Sequence, residues 1–211
     1  MNRRLLLVAL SATALSGCSA IGALNTASAA LDVYQLRAPD FGPVATGRPQ
    51  SLSVVIEVPT ASGALDTDRI LIRPTPSQIQ YLSDARWAET APVMVQTALV
   101  EGLERSGAFR FVARRPLGAS GDYALVTLLR DFQAEIDPAT GQSMVRIALT
   151  ARLVRESDAA IVALQTFSAE MPAASTRTPD LIAAFQTASD RTLDAIMRWL
   201  LVTRNVGVAR S

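Results

Sequence analysis

The chain has 211 residues, 49% of them apolar, with 20 basic and 19 acidic side chains and a formal charge of +1; every basic residue is Arg, there is one Cys, and there is no His. Without His or Lys there is no Ser–His or Cys–His pair, no imidazole metal site, no Schiff base and no P-loop lysine, and one Cys makes neither an internal disulfide nor a thiolate cluster. Carboxylates, hydroxyls and guanidinium groups remain, a set that points away from an enzyme, and the balanced charge offers no basic patch of nucleic-acid strength.

Residues 1–17 read as a signal peptide. Arg3 and Arg4 form a basic start, and residues 5–15 form an apolar run too short to span a bilayer as a helix. The run closes on Leu15-Ser16-Gly17-Cys18, two small residues that fit a peptidase pocket and then the only thiol of the chain. This resembles the bacterial lipobox. The resemblance implies cleavage between Gly17 and Cys18, diacylglycerol on the Cys18 sulfur and acylation of the new amino group. Two or three chains, each contributing about 0.8 kcal/mol per buried CH₂, make a durable anchor without a transmembrane helix. Ser19, where enterobacterial inner-membrane lipoproteins carry Asp, favours the outer membrane facing the periplasm, with the inner membrane as the alternative. With Arg3 and Arg4 removed, the remainder is slightly acidic.

Residues 18–32 are the lipidated N-terminus and a flexible tether of small residues. The domain is expected over residues 33–203, with a frayed tail at 204–211. Residues 33–36 suggest a short strand, and residues 38–50, with three Pro and two Gly, a loop. Residues 52–58 (LSVVIEV) are β-branched and stop at Pro59. Residues 60–68 are expected to be a connection. Residues 69–73 (RILIR) alternate as a half-buried strand does and are expected to break at Pro74 and Pro76; residues 77–82 resume the alternation.

The first helix is predicted over 90–105. Thr90 stands at the N-cap, Pro92 falls in the first turn, Val95, Leu99 and Leu103 form one stripe, Glu101 and Arg105 are an i,i+4 pair, and Gly107 ends it. A strand follows at 109–114. Residues 123–136, 145–153 and 161–169 alternate and are joined by short turns, one of them Asp137-Pro138-Ala139-Thr140-Gly141, which predicts an antiparallel meander. In the first of these strands strict alternation places Val126, Leu128, Arg130, Phe132, Ala134 and Ile136 on one face. The second helix is predicted over 178–203, with Thr178, Pro179 and Asp180 as N-cap, N1 and N2, and Phe185, Ser189, Leu193, Ile196 and Leu200 facing the core. The sum is an α+β two-layer sandwich: a mixed, mostly antiparallel sheet with two main helices on one face.

The chain resembles the ABC-type transport auxiliary lipoproteins, the family of paraquat-inducible protein C, over residues 31–200. The resemblance rests on Val33-Tyr34-Gln35-Leu36, the strand ending at Pro59, Leu65-Asp66-Thr67-Asp68-Arg69-Ile70, then Tyr81, Trp87-Ala88, the helix from Pro92 to Leu103, and Ser106-Gly107-Ala108-Phe109. It implies a non-catalytic periplasmic lipoprotein, an accessory of an ABC lipid-transport system, whose partner is a mammalian-cell-entry (MCE) domain protein. It also leaves room for a homo-oligomer. The alternative is another envelope assembly or activator lipoprotein on a similar α+β domain.

Cys18, with cleavage after Gly17, is the lipid site; no cofactor beyond that covalent lipid and no metal is expected. Asp66 and Asp68 lack the remaining ligands of a Ca²⁺ loop and read as a turn beside Arg69. Trp87 and Tyr81 are each either a partner-facing anchor or filling between strand and helix. Arg130 reads as a strand-end charge or a guard on a sheet edge.

Overall fold

The computed structural model describes residues 31–39, 52–115 and 120–206, with side chains as far as Thr203. The chain divides into two compact units, Met1–Asp32 and Val33–Ser211, and all described residues except Leu31 and Asp32 lie in the second. Cys18 and Gly17 lie outside the described residues.

The elements in chain order are β1 (Asp32–Tyr34), β2 (Ser53–Ile56), β3 (Thr60–Ala61), β4 (Arg69–Thr75), β5 (Gln78–Trp87), α1 (Ala91–Ser106), β6 (Phe111–Arg114), β7 (Tyr123–Ile136), β8 (Ser143–Arg155), β9 (Ala160–Pro172) and α2 (Thr178–Val206). β7 organises the sheet. Along one edge it pairs antiparallel with β8 over its whole length, and β8 pairs antiparallel with β9, the predicted meander. Along its other edge β7 takes three parallel partners in succession: β2 at Tyr123–Leu125, β3 at Leu128 and Leu129, and β4 at Ala134 and Glu135. β6 extends the sheet beyond β2, and β5 and β1 extend it beyond β4. β2 and β6 run parallel, so a crossover must join them, and α1 lies in that crossover.

Both helices pack on one face, as expected, and they touch each other. α1 lies on β2 and β6, and α2 on β5, β8 and β9. Val95, Leu99 and Leu103 of α1 are buried, as are Phe185, Ser189, Leu193, Ile196 and Leu200 of α2. Gly107 caps α1 in the left-handed region at φ +60°, its N–H donating to the Glu104 carbonyl. Gly141 takes φ +69° in the turn between β7 and β8, where its N–H donates to Asp137 O at 2.8 Å.

Several expectations are corrected. Residues 60–68 are not wholly a connection: Thr60 and Ala61 form β3 against β7, and Leu65 folds back into the core at 4% exposed. β4 does not stop before Pro74. The β4–β5 pairing is irregular between Ile72 and Thr75, and a proline is tolerated where the ladder is already broken. Strict alternation fails in β7, because a bulge at Arg130 separates the pairs Leu129–Leu149 and Asp131–Ala148. Phe132 and Ala134 therefore join Leu125 and Leu129 in the core, while Val126 and Leu128 turn to the helix-free face. Arg130 is the extra residue of that bulge in a strand paired on both sides, so it is neither a strand-end charge nor an edge guard.

The helix ends are also adjusted. Thr90 occupies the α1 N-cap position without a side-chain capping bond. Arg105 donates to the Glu101 backbone carbonyl (3.2 Å) and to Ala38 O rather than to the Glu101 carboxylate. α2 begins with Thr178 inside the helix: the N–H groups of Asp180 and Leu181 both donate to Arg177 O, and the Thr178 hydroxyl is used on Asp84 of β5 at 2.8 Å.

Candidate interaction site

Of the two residues left open between partner-facing anchor and filling, Trp87 is filling. It is 1% exposed, its ring meets Phe132 and Phe185 edge-on with centroids 5.7 and 5.2 Å away, and its backbone N–H donates to Asp68 O. Aromatic pairs of this geometry prefer each other to water. Tyr81, two positions on one strand face from Ile79, is half-buried. Its hydroxyl donates to Ala64 O at 3.3 Å and the Arg69 guanidinium lies 4.6 Å above its ring. The first tie holds the segment of residues 60–68 against β5, and the second joins β4 to β5. Asp66 and Asp68 lie in the bends just before Arg69, as read, and Asp68 forms its ion pair with Arg86 of β5 at 3.2 Å.

A groove of about 1080 Å³ opens where β4, the β7–β8 turn and the segment after β9 meet. Its floor is the helix-free face of the sheet. Arg146 of β8 stands between two carboxylates, Glu135 on β7 at 2.9 Å and Glu170 on β9 at 2.7 Å, a ladder of charge across three strands. The hydrogen bond to Glu135 and the surrounding carboxylates hold the Arg146 guanidinium more firmly protonated than usual. Gln133, 2% exposed, donates to Asp131 at 3.1 Å and to Glu135 at 3.4 Å, and accepts from the Phe132 N–H. Arg73 of β4 donates to Pro76 O, and its Nε is buried without an acceptor. The groove carboxylates that face one another are thus tied to Arg146 or Gln133. That arrangement ties three strands side by side and gives the groove a polar wall rimmed by Pro74, Pro76, Pro138 and Pro172.

A second tied cluster lies at the opposite end of β7. Asp122 accepts from the Ser53 N–H at 2.7 Å and the Ser53 hydroxyl at 2.8 Å, with Arg110 at 3.9 Å. The Ser53 bonds, with help from Arg110, hold the Asp122 carboxyl below its ordinary range. Nearby, Arg115 bridges Glu156 and Glu57, and the Gly121 N–H donates to Glu156 at 2.6 Å.

The sequence reading missed the Glu135–Arg146–Glu170 ladder. Its signal was present as opposite charges at alternating positions of the predicted meander, but only the register places them side by side. It also missed the exposed apolar residues of β9: Ile161, Val162 and Leu164 are 59%, 38% and 57% exposed.

Comparison with known proteins follows the same fold. A crystal structure of a Xanthomonas campestris protein superposes with a TM-score of 0.76 at 28% identity, covering 86% of this chain and 100% of that one. The crystal structure of an uncharacterised protein superposes at 0.59 with 14% identity, covering 81% of this chain and 98% of that one, a likeness of fold alone. A curated, uncharacterised protein of Bradyrhizobium diazoefficiens is 29% identical over 174 residues, which is 80% of this chain but 44% of that protein. The profile of one family matches residues 34–197, from β1 through most of α2. The chain therefore belongs to the family of ABC-type transport auxiliary lipoprotein components.

Proposed function

We propose that this protein is a non-catalytic lipoprotein, anchored through Cys18 at the outer membrane and facing the periplasm, that docks the MCE-domain protein of an ABC-type lipid transporter. The observation that carries this reading is the conjunction of the family match over residues 34–197 with the lipobox-like Leu15-Ser16-Gly17-Cys18 ahead of it. In this reading the covalent lipid supplies the anchor and residues 18–32 supply the reach; among the described residues no helix is long and apolar enough to cross a membrane. The domain works by binding: it needs no cofactor beyond the lipid, and the carboxylates Glu135, Glu170, Glu57 and Glu156 are held in ion pairs on the sheet. A rigid sheet that presents loops and edges is the usual platform for a partner.

The test is genetic. Deleting this gene, deleting the gene of the MCE-domain protein, and deleting both are expected to give one shared envelope phenotype, restored by the wild-type chain and not by Cys18→Ser. Additive, unrelated phenotypes would instead favour an envelope assembly or activator lipoprotein.

A further inference from the structure

The helix-free face of the sheet carries two arginines of β8 in opposite surroundings. Toward the groove, Arg146 has Glu170 directly across on β9 and Glu135 nearby on β7, and both carboxylates pair with it. Farther along the same face stands Arg152, half-buried, with Val126 directly across on β7 and Leu164 directly across on β9. Its diagonal neighbours are Leu128 and Thr166, and the same-face positions on its own strand are Thr150 and Val154. None of these is charged, and the two threonine hydroxyls bond each other at 2.9 Å. The Arg152 guanidinium therefore has neither counter-ion nor acceptor among the described residues. The surface around it is apolar: Leu164 is 57% exposed, and Ile161, which pairs with Val154, is 59% exposed.

We propose that the sheet face around Arg152 seats an amphipathic helix of the MCE-domain protein, with an Asp or Glu of that helix's apolar stripe on the Arg152 guanidinium. For the partner's identity this inference rests on the function proposed above. Charge complementarity selects the chemistry. A guanidinium covered by a purely apolar surface would lose water and gain no partner, whereas a carboxylate supplies the charge-assisted bonds that Glu135 and Glu170 supply to Arg146. Arg130, exposed beside Leu129 and equally without a partner among the described residues, adds a second positive charge for an acidic helix. The sheet selects the occupant's form. β7 and β8 are hydrogen-bonded on both sides, so whatever lies on their face must satisfy its own backbone, as a helix does. Parallel strands are ordinarily covered on both faces, and α1 and α2 cover only one. Same-face positions along a strand are about 6.6 Å apart, near the about 5–6 Å between residues i and i+4 of a helix laid along it. A carboxylate over Arg152 thus places the next turn of the helix over Val154 and Ile161.

The test uses the full-length chain in its own membranes, with a photo-reactive p-benzoylphenylalanine placed at Leu164 or, for comparison, at Thr187 on the exposed side of α2. Illumination is expected to join the Leu164 position to a helical, acid-bearing segment of the MCE-domain protein, and the Thr187 position to give no such adduct. In parallel, Arg152→Glu is expected to reduce the MCE-domain protein recovered with the lipoprotein about tenfold or more, the loss expected when a covered charge pair is reversed. Arg152→Lys, which keeps the charge, is expected to lose less, and Arg191→Glu, a matched reversal at an exposed position of α2, to lose nothing. All three variants are expected to keep the wild-type thermal midpoint. Full recovery with Arg152→Glu, or an adduct from Thr187 and none from Leu164, would overturn the surface while leaving the partner in place. An adduct of the Leu164 position with lipid alone, or with a second copy of this chain alone, would overturn it too. Absence of the MCE-domain protein from the wild-type preparation would overturn both this inference and the function on which it rests.

Discussion

Trp87 reaches from β5 to both Phe132 of β7 and Phe185 of α2, so one side chain ties the sheet to the helix layer. Trp87→Ala is therefore expected to cost about 3–5 kcal/mol, read from urea unfolding, the range for removing a large aromatic from a core. A surface anchor would leave the unfolding midpoint unmoved. Asp122 acts at the other end of the sheet, where its carboxylate fastens the start of β2 to the start of β7 through Ser53. Its folded-state pKa lies below the unfolded value, so its contribution is present above that unfolded value, about pH 4, and is lost as pH falls through the folded value. Asp122→Asn is expected to lower the thermal midpoint at neutral pH, and the gap to the wild type should close in acid. A gap that is constant with pH would mean that the carboxylate charge is not what matters there.

At the scale of elements, α1 shows what local chemistry can specify. Gly107 takes φ +60°, and a Cβ there would meet no atom within 4 Å. Gly107→Ala is thus expected to cost about 1–2 kcal/mol from backbone strain alone, measurable as a lowered unfolding midpoint. That cap, the Val95, Leu99 and Leu103 stripe and the β7–β8–β9 meander were legible because each rests on signals a few residues apart. The bulge at Arg130 was not, since one extra residue in a strand leaves no mark in composition and merely reverses which side chains point inward. The passage of β4 through Pro74 and the pairing of Thr60 and Ala61 with β7 were hidden for a related reason. The second depends on a partner strand more than fifty residues away, and the first on where the β4–β5 ladder is broken. Trp87 was ambiguous because a large aromatic suits a core and an interface equally well until its neighbours are known.

Among the described residues the domain is a sheet built on one long strand, with two helices on one face and none on the other. β7 carries β8 on one side and β2, β3 and β4 in turn on the other, which lets separate stretches of chain share a single rigid axis. The family could be read from short ordered motifs, whereas the groove beside Arg146 and the uncharged surroundings of Arg152 emerge only from strand register. The central claim is that this anchored, rigid domain works by holding an MCE-domain protein of a lipid transporter. Purification of the full-length lipoprotein from its own membranes in mild detergent, followed by identification of what comes with it, tests that claim most directly. The account predicts that the MCE-domain protein co-purifies in fixed ratio with the wild-type chain. Recovery of the folded lipoprotein without it, under conditions that keep the transporter intact, would contradict the account.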